Sequence, residues 1–365
     1  EEIYDNYLCG MTAWRTKMPI QDSDRPYIKR EEHSPLDPDK MYAELEEKIK
    51  NCGHPMDLGR IRAAYEMARV AHSGQLRKDG SPYVTHCVAA ADISVDMGLD
   101  EDSIIAALLH DVIEDTNLTH ADIARQFGTA VADIVEGVTK LTRVQYTSKE
   151  DEQMENLRKM LMAMAKDIRV ILIKLADRLE VMRSLEMFPR EKWRKKSWES
   201  LNLYAQIAHK LGLYNIKSEL EDIALRYLEP QDYQHIADKL AETESERRAF
   251  IARVLEPITQ RLDQAGLRYH VKSRTKSIFS IWTKMHKQNV PFEGVYDIFA
   301  IRIIIDCDKE QEKQQCWTAY SIVTDFYTPN PERMRDWISI PKSNGYESLH
   351  TTVATKEGRW VEIQI

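Results

Sequence analysis

The chain has 365 residues, 43% of them hydrophobic and 30% charged, with a mean hydropathy of −0.51 and a formal net charge of −8. That length holds two or three domains with real cores, the acidic balance argues against DNA as a partner, and no apolar run reaches the roughly 18 residues needed to span a membrane. The five cysteines (Cys9, Cys52, Cys87, Cys307, Cys316) are odd in number and form no Cys-x-x-Cys pair, and the start Glu1-Glu2-Ile3-Tyr4-Asp5 is too acidic for a signal peptide, so a reducing, cytoplasmic setting is expected.

Residues 1–40 read as an arm, with Pro19, Pro26, Pro35 and Pro38 and no clear period. From 41 to about 203 the apolar spacing is helical. Ile61, Ala64, Tyr65, Ala68, Val70 and Ala71 mark one amphipathic helix. Residues 85–97 give a second, stopped by Gly98. Asp102 or Ser103 is expected to cap a third, running on into His110-Asp111-Val112-Ile113-Glu114-Asp115. Thr119 should cap a helix over 121–127, closed by Gly128, and 154–165 and 170–185 give two more. No strand alternation occurs, so 41–200 is expected to be an all-α domain.

A helical connector is expected over 201–235, with helices at 204–213, 216–228 and 231–265, the last kinked at Pro257. Residues 236–365 change character. Strands are expected at 267–271, 298–305, 351–355 and 359–365, a helix at 276–286, a polar loop at 306–315 and a helix end or connection at 320–325. Lys356-Glu357-Gly358 is the expected turn of a closing strand pair.

On a continuous helix His110 and Glu114, like Asp111 and Asp115, stack four apart on one face. Two readings are open: a metal site with acids beside it, or a helix end with a solvated acidic face. Asp177, in the run Lys174-Leu175-Ala176-Asp177-Arg178-Leu179, lies in an apolar helix and needs an Arg or a metal as partner. His86 closes a glycine-punctuated basic loop that carries Arg77 and Lys78, and Lys140-Leu141-Thr142-Arg143 is a further basic run. Two imidazoles and two carboxylates (His86, His110, Asp111, Asp177) suit manganese, iron or zinc better than calcium. In the C-terminal part, Arg274, Lys276 and Lys342 supply cations and Asp297 and Glu362 supply separated carboxylates, a set suited to magnesium-assisted phosphoryl transfer. Tyr346 and His350 sit in a Gly-Tyr loop where an aromatic can stack on a base. An ordinary sheet with exposed charges is the alternative.

The order His, His-Asp, Asp on helices resembles the HD-type metal phosphohydrolases. The strings AHSGQLRKDGSPYVTH, LLHDVIEDT, VEGVTKLTR, RVILIKLADRL and YAQIAHKLGLYNIKSELEDIALRYL resemble the Rel/SpoT family of bifunctional (p)ppGpp synthetase-hydrolases, and RTKSIFSIWTKM, VYDIFAIRI, RMRDWISIPKSNGYESLHTTV and VEIQI resemble its synthetase half. The resemblance implies a multidomain α+β protein: an HD-type hydrolase domain, a helical connector and a mixed α/β nucleotidyltransferase-like synthetase domain. It implies Mn2+ on His86, His110, Asp111 and Asp177, with Glu114 and Asp115 activating water, and nucleotide on Arg77, Lys78, Arg178 and Ser184. It implies Mg2+ on Asp297 and Glu362, with Glu362 also as base. Arg274, Lys276 and Ser280 take ATP phosphates. Lys342, Asn344, Tyr346, His350 and Gln364 take GDP or GTP, and Arg335, with Arg333, lies where the family is basic. ATP, GDP/GTP and (p)ppGpp are the implied partners, with ribosome or regulatory proteins engaged only through C-terminal domains beyond this sequence.

Two departures stand out. After KLADRL the family usually reads His-Asn-Met-Arg-Thr; here it reads Glu180-Val181-Met182-Arg183-Ser184. Val181 removes a polar contact to nucleotide worth about 1–3 kcal/mol, so hydrolysis is expected to be retained but weakened, with its loss as the alternative. The family also continues past VEIQI, so an incomplete synthetase is expected.

Overall fold

A computed structural model of the chain describes residues 35–142, 166–295, 298–342 and 345–365. The expected helix over 154–165, nearly all of the arm, the side chains of 140–143, Asp297 and Asn344 lie outside the described residues.

The first half is helical: α1 (Pro38–Lys50), α2 (Leu58–Ala71), α3 (Val84–Asp96), α4 (Glu101–Leu108), α5 (Val112–Asp115), α6 (His120–Phe127), α7 (Thr129–Thr142) and α8 (Ile168–Arg183). Polar caps start them. Asp57 accepts from Gly59 N and Arg60 N, and Thr119 and Asp122 form a reciprocal capping box. Asp100, rather than Asp102 or Ser103, caps α4 by accepting from Ser103 N, which leaves Ser103 buried inside the first turn. Gly98 ends α3 at φ +70°.

Two cores meet at α8. One face joins Val170 and Ile173 to Tyr65, Val88, Ile104, Leu108 and Val135. The other joins Ile171, Leu175 and Leu179 to Trp193, Tyr204, Leu220 and Ala224. These last residues come from α9 (Arg190–Glu199), a π-helical segment (Ser200–Tyr204) and α11 (Tyr214–Leu228), with α10 (Ala205–Lys210) between them. A helix apolar on both sides is buried on both sides, so Asp177 in its middle is buried too.

The helix expected through His110 to Asp115 is broken. Leu109 leaves helical geometry at φ −107°, His110 and Asp111 form a turn, and α5 is a separate short helix. The His110 ring donates from Nδ1 to Ala107 O at 2.8 Å, taking a carbonyl of the last turn of α4. The stretch expected as one helix over 231–265 is also two: α12 (Pro230–Glu242) and α13 (Glu244–Gln264), separated at Thr243. The break lets Ile236 pack with Ile281, Phe292 and Val295 while Phe250, Val254, Ile258 and Leu262 pack under the sheet.

The sheet contains β1 (Tyr269–Thr275), β2 (Phe299–Ile305), β3 (Thr328–Pro329), β4 (Arg335–Asp336), β5 (Leu349–Ala354) and β6 (Trp360–Gln364), in the order β1-β2-β6-β5-β3, with β4 also on β5. β2 and β6 are parallel and the other pairs antiparallel. Helix α14 (Ile278–Gln288) follows β1. The polar stretch expected as a loop at 306–315 is largely the start of α15 (Lys309–Phe326), whose Cys316, Ala319, Ile322 and Val323 face the sheet while its first turns stay in water. Polarity there reflects exposure, not lack of helix. The connector helices grip α14: Asp222 of α11 accepts from Phe279 N at 2.8 Å, and Trp282 Nε1 donates to Asp232 of α12 at 2.7 Å. Between them lies a pocket of about 520 Å³ lined by Ser218, Asp222, Arg226, Arg274 and Lys276, among others. Among the described residues no helix is long and apolar enough to cross a membrane.

A Cβ on Gly137 of α7 would lie 2.8 Å from Val170 Cγ2 of α8. Overpacking of this kind costs about 1–3 kcal/mol, against the ~1 kcal/mol by which a helix prefers Ala to Gly. Gly137→Ala should therefore lower the urea midpoint, and adding Val170→Ala should recover most of the loss.

Candidate functional site

His86 in the first turn of α3, His110 after α4 and Asp177 within α8 converge. One ligand atom from each lies within 4.8 Å of the others, and all three residues are buried. Asp111 adds its Oδ2 at 3.1 Å from His110 Nε2 and 3.5 Å from His86 Nε2, while Asp177 Oδ1 is 3.4 Å from His86 Nε2. With Nδ1 of His110 donating to Ala107, its Nε2 is the lone-pair side. That atom is buried and has no hydrogen-bond partner among the described residues, with Asp111 Oδ2 3.1 Å away. An orphaned imidazole nitrogen facing two carboxylates fits a divalent cation.

Electrostatics point the same way. Burial alone would push His86 and His110 down, but Glu180, Asp111 and Asp177 hold His86 well above the usual imidazole range, and Asp111 and Asp177 hold His110 up. Burial would raise Asp111 and Asp177, yet the imidazoles, and Lys174 beside Asp177, keep both carboxyls ionised. Lys174 Nζ donates to Asp177 Oδ2 at 2.6 Å, leaving Asp177 Oδ1 for the centre, whereas Tyr83 OH donates at 2.8 Å to Asp111 Oδ2, the same oxygen that faces the two imidazoles.

The other expected hydrolase residues are less uniform. Glu114 is half-buried and Asp115 exposed on α5, at the rim. Lys78 is exposed on the loop. Arg77 turns inward, 2.7 Å from Glu180 Oε1 and 2.9 Å from Ser184 Oγ. Arg178 stacks over the Tyr204 ring at 4.1 Å and meets Glu199 at 3.2 Å. Four residues escape the sequence reading: Tyr83, Lys174, Glu180 and Lys196. Lys174 carried a signal, being three positions before Asp177 on one helix. Lys196 carried none. Burial and the Arg178 guanidinium push it down to about 8, and its Nζ sits 4.8 Å over the Phe188 ring.

The second constellation lies on the sheet. Glu362 in β6 is flanked by β2 and β5. Its Oε1 meets His350 Nδ1 at 3.2 Å and accepts from Gln364 Nε2 at 2.9 Å, and its Oε2 is 3.5 Å from Lys276 Nζ. The His350 hydrogen bond, against burial, brings its carboxyl down to about 2. Tyr346 OH bonds His350 Nε2 at 2.9 Å, and Lys342 Nζ sits 3.8 Å over the Trp337 ring and 5.4 Å from that of Tyr346. Glu362, His350, Gln364, Tyr346, Lys342 and Lys276 thus form one linked group. Ser280 bonds Ser277 Oγ at 2.8 Å in the first turn of α14, and Arg274 lines the pocket beside Lys276. Arg335 is exposed and donates to Glu332 O and Met334 O, holding its own loop.

A family model described as an HD domain matches residues 64–214, and one described as a region found in RelA/SpoT proteins matches residues 273–365. The chain is 41% identical over 325 residues to the bifunctional (p)ppGpp synthase/hydrolase SpoT of Escherichia coli K12, covering 89% of this chain and 46% of that one. It is 42% identical over 316 residues to a GTP pyrophosphokinase of Myxococcus xanthus, covering 86% and 41%. A solved structure of a metazoan SpoT ortholog that hydrolyses ppGpp is 28% identical, with a TM-score of 0.35, over 47% of this chain and 97% of that one. The chain spans less than half the length of these curated relatives.

A cation that binds only the folded site adds about 2.7 kcal/mol at one hundred times its dissociation constant. Mn(II) should therefore raise the melting midpoint of the wild type by several degrees and leave that of His110→Ala unmoved, as read by calorimetry.

Proposed function

Because the chain belongs to the RelA/SpoT family, we propose that it turns over guanosine alarmones at two sites. The helical site removes pyrophosphate from the 3′ position of (p)ppGpp with manganese. The sheet site transfers pyrophosphate from ATP to the 3′-hydroxyl of GDP or GTP with magnesium. The observation that carries the first assignment is the buried Nε2 of His110, which has no hydrogen-bond partner among the described residues and faces Asp111 Oδ2 at 3.1 Å and Asp177 Oδ1 at 4.0 Å.

His86, His110, Asp111 and Asp177 are the residues suited to hold the hydrolytic metal. A divalent cation there supplies Lewis-acid polarisation of a phosphoryl oxygen. Glu114 and Asp115, at the rim on α5, are suited to accept the proton of the attacking water. Lys196 and Lys78 offer positive charge to the phosphates. At the sheet site, Arg274, Lys276 and the first turn of α14 suit the ATP phosphates, and Tyr346 with Lys342 suits a guanine base. A Glu362 carboxyl held near 2 stays ionised, as a cation ligand must, and is a weak base. Its metal-holding role is therefore favoured while His350 and Gln364 stay bonded to it.

A second reading, in which hydrolysis is the weaker activity, is favoured by one observation: the expected nucleotide cation Arg77 is engaged by Glu180 and Ser184, in addition to the apolar Val181.

With Mn(II), purified protein should release pyrophosphate from ppGpp, and Asp111→Ala should reduce this to background. With ATP, GDP and Mg(II) it should form ppGpp, and Glu362→Ala should abolish synthesis while leaving hydrolysis intact. A wild type that releases no pyrophosphate refutes the hydrolase assignment, and synthesis that survives Glu362→Ala refutes the role of Glu362.

A further inference from the structure

Glu180 is a carboxylate only 5% exposed, on a helix packed from both sides. A group of that kind is strongly destabilising unless both oxygens find partners. They do, and the partners belong to different parts of the site. Oε2 is 2.5 Å from Nδ1 of His86, and Oε1 is 2.7 Å from Nη2 of Arg77. The same Arg77 nitrogen donates to Ser184 Oγ at 2.9 Å, one turn further along α8. The loop that carries Arg77 is thereby clipped to the C-terminal end of α8.

We infer that Glu180 is a positioning residue for the hydrolytic site, holding the metal-side imidazole of His86 with one oxygen and the loop cation Arg77 with the other. The inference rests on the metal-dependent hydrolysis proposed above.

The His86 end follows from hydrogen-bond chemistry. A carboxylate only accepts, so Nδ1 of His86 carries a proton, and Nε2 is the nitrogen that can offer a lone pair to a cation that displaces its own proton. Nε2 is the atom that faces Asp177 Oδ1 and Asp111 Oδ2. The two imidazoles of the site are therefore anchored unequally: His110 on the neutral carbonyl of Ala107, His86 on a charged carboxylate. An anionic anchor fixes the ring and makes its free nitrogen a stronger ligand.

The Arg77 end depends on the second oxygen. The family pattern at this place is His-Asn, and an imidazole carries no anionic oxygen for a guanidinium. Glu180 does. It holds Arg77 in a fixed pose at the loop and neutralises much of its charge before a nucleotide arrives.

The test measures Mn(II) binding by the loss of the free-ion electron paramagnetic resonance signal, alongside steady-state ppGpp hydrolysis. Glu180→Gln keeps the shape but offers one accepting oxygen in place of two anionic ones. It should weaken Mn(II) binding about 10- to 100-fold. Arg77→Met should raise the KM for ppGpp at saturating Mn(II) while leaving the Mn(II) dissociation constant within about twofold, a split that loss of folding does not produce. The double variant Glu180→Gln, Arg77→Met removes both charges together, so it keeps the buried charge balance, and it should bind Mn(II) as weakly as Glu180→Gln. Wild-type Mn(II) affinity in both the single Gln variant and the double variant overturns the role of Glu180 and leaves the metal site standing. A wild type that takes up no Mn(II) overturns the metal site and this role with it.

Discussion

The structure turns on one electrostatic constraint: a carboxylate buried in the middle of a helix that is packed on both faces. Asp177 cannot reach water, and an unpartnered ion there would cost several kcal/mol. Everything around it answers that charge. Lys174 takes one oxygen from the same helix, and His86 and His110 arrive from α3 and the end of α4 to face the other. Those imidazoles are in turn held by Glu180 and the Ala107 carbonyl. The broken helix after Leu108 belongs to the same arrangement, since the turn is what lets His110 and Asp111 both look inward.

The sheet site meets the same problem more mildly. Glu362 lies in a central strand, partly open, and its compensation is local: His350 and Gln364 across or along the sheet, with Lys276 from the edge of α14. The two constellations are joined by the connector helices, of which α11 also lines the pocket that holds Arg274 and Lys276. Asp222 and Asp232 of the connector bond α14, whose first turn lies beside Arg274 and Lys276. A displacement of α11 would therefore be felt at the first turn of α14, proposed above to take ATP phosphates.

Much of this is legible in the sequence. The helical period of the first half, Gly98 as a stop, Thr119 as a cap and the alternation of Ile301, Ile303 and Ile305 each depend on near neighbours, and those are what a linear pattern records. His86, His110 and Asp177 stand out because each interrupts an apolar surface. What escapes depends on packing at long range. Glu180 meets His86 across 94 positions, and only the approach of α3 to α8 reveals it. Its neighbour Val181 looks like the telling departure in the sequence, yet Glu180 makes the contacts. Lys309 to Gln315 read as a loop because an exposed helical turn and a solvated loop share a composition. Arg77 read as a free surface cation because nothing local shows that its partner is buried.

The metal centre proposed on His86, His110, Asp111 and Asp177 is what the hydrolytic site stands on. Anomalous diffraction from crystals soaked in Mn(II), with data collected at the manganese edge, tests it most directly. A single strong peak enclosed by those four side chains is expected. A protein that hydrolyses ppGpp with Mn(II) but shows no peak there, or shows its peak elsewhere, would contradict it.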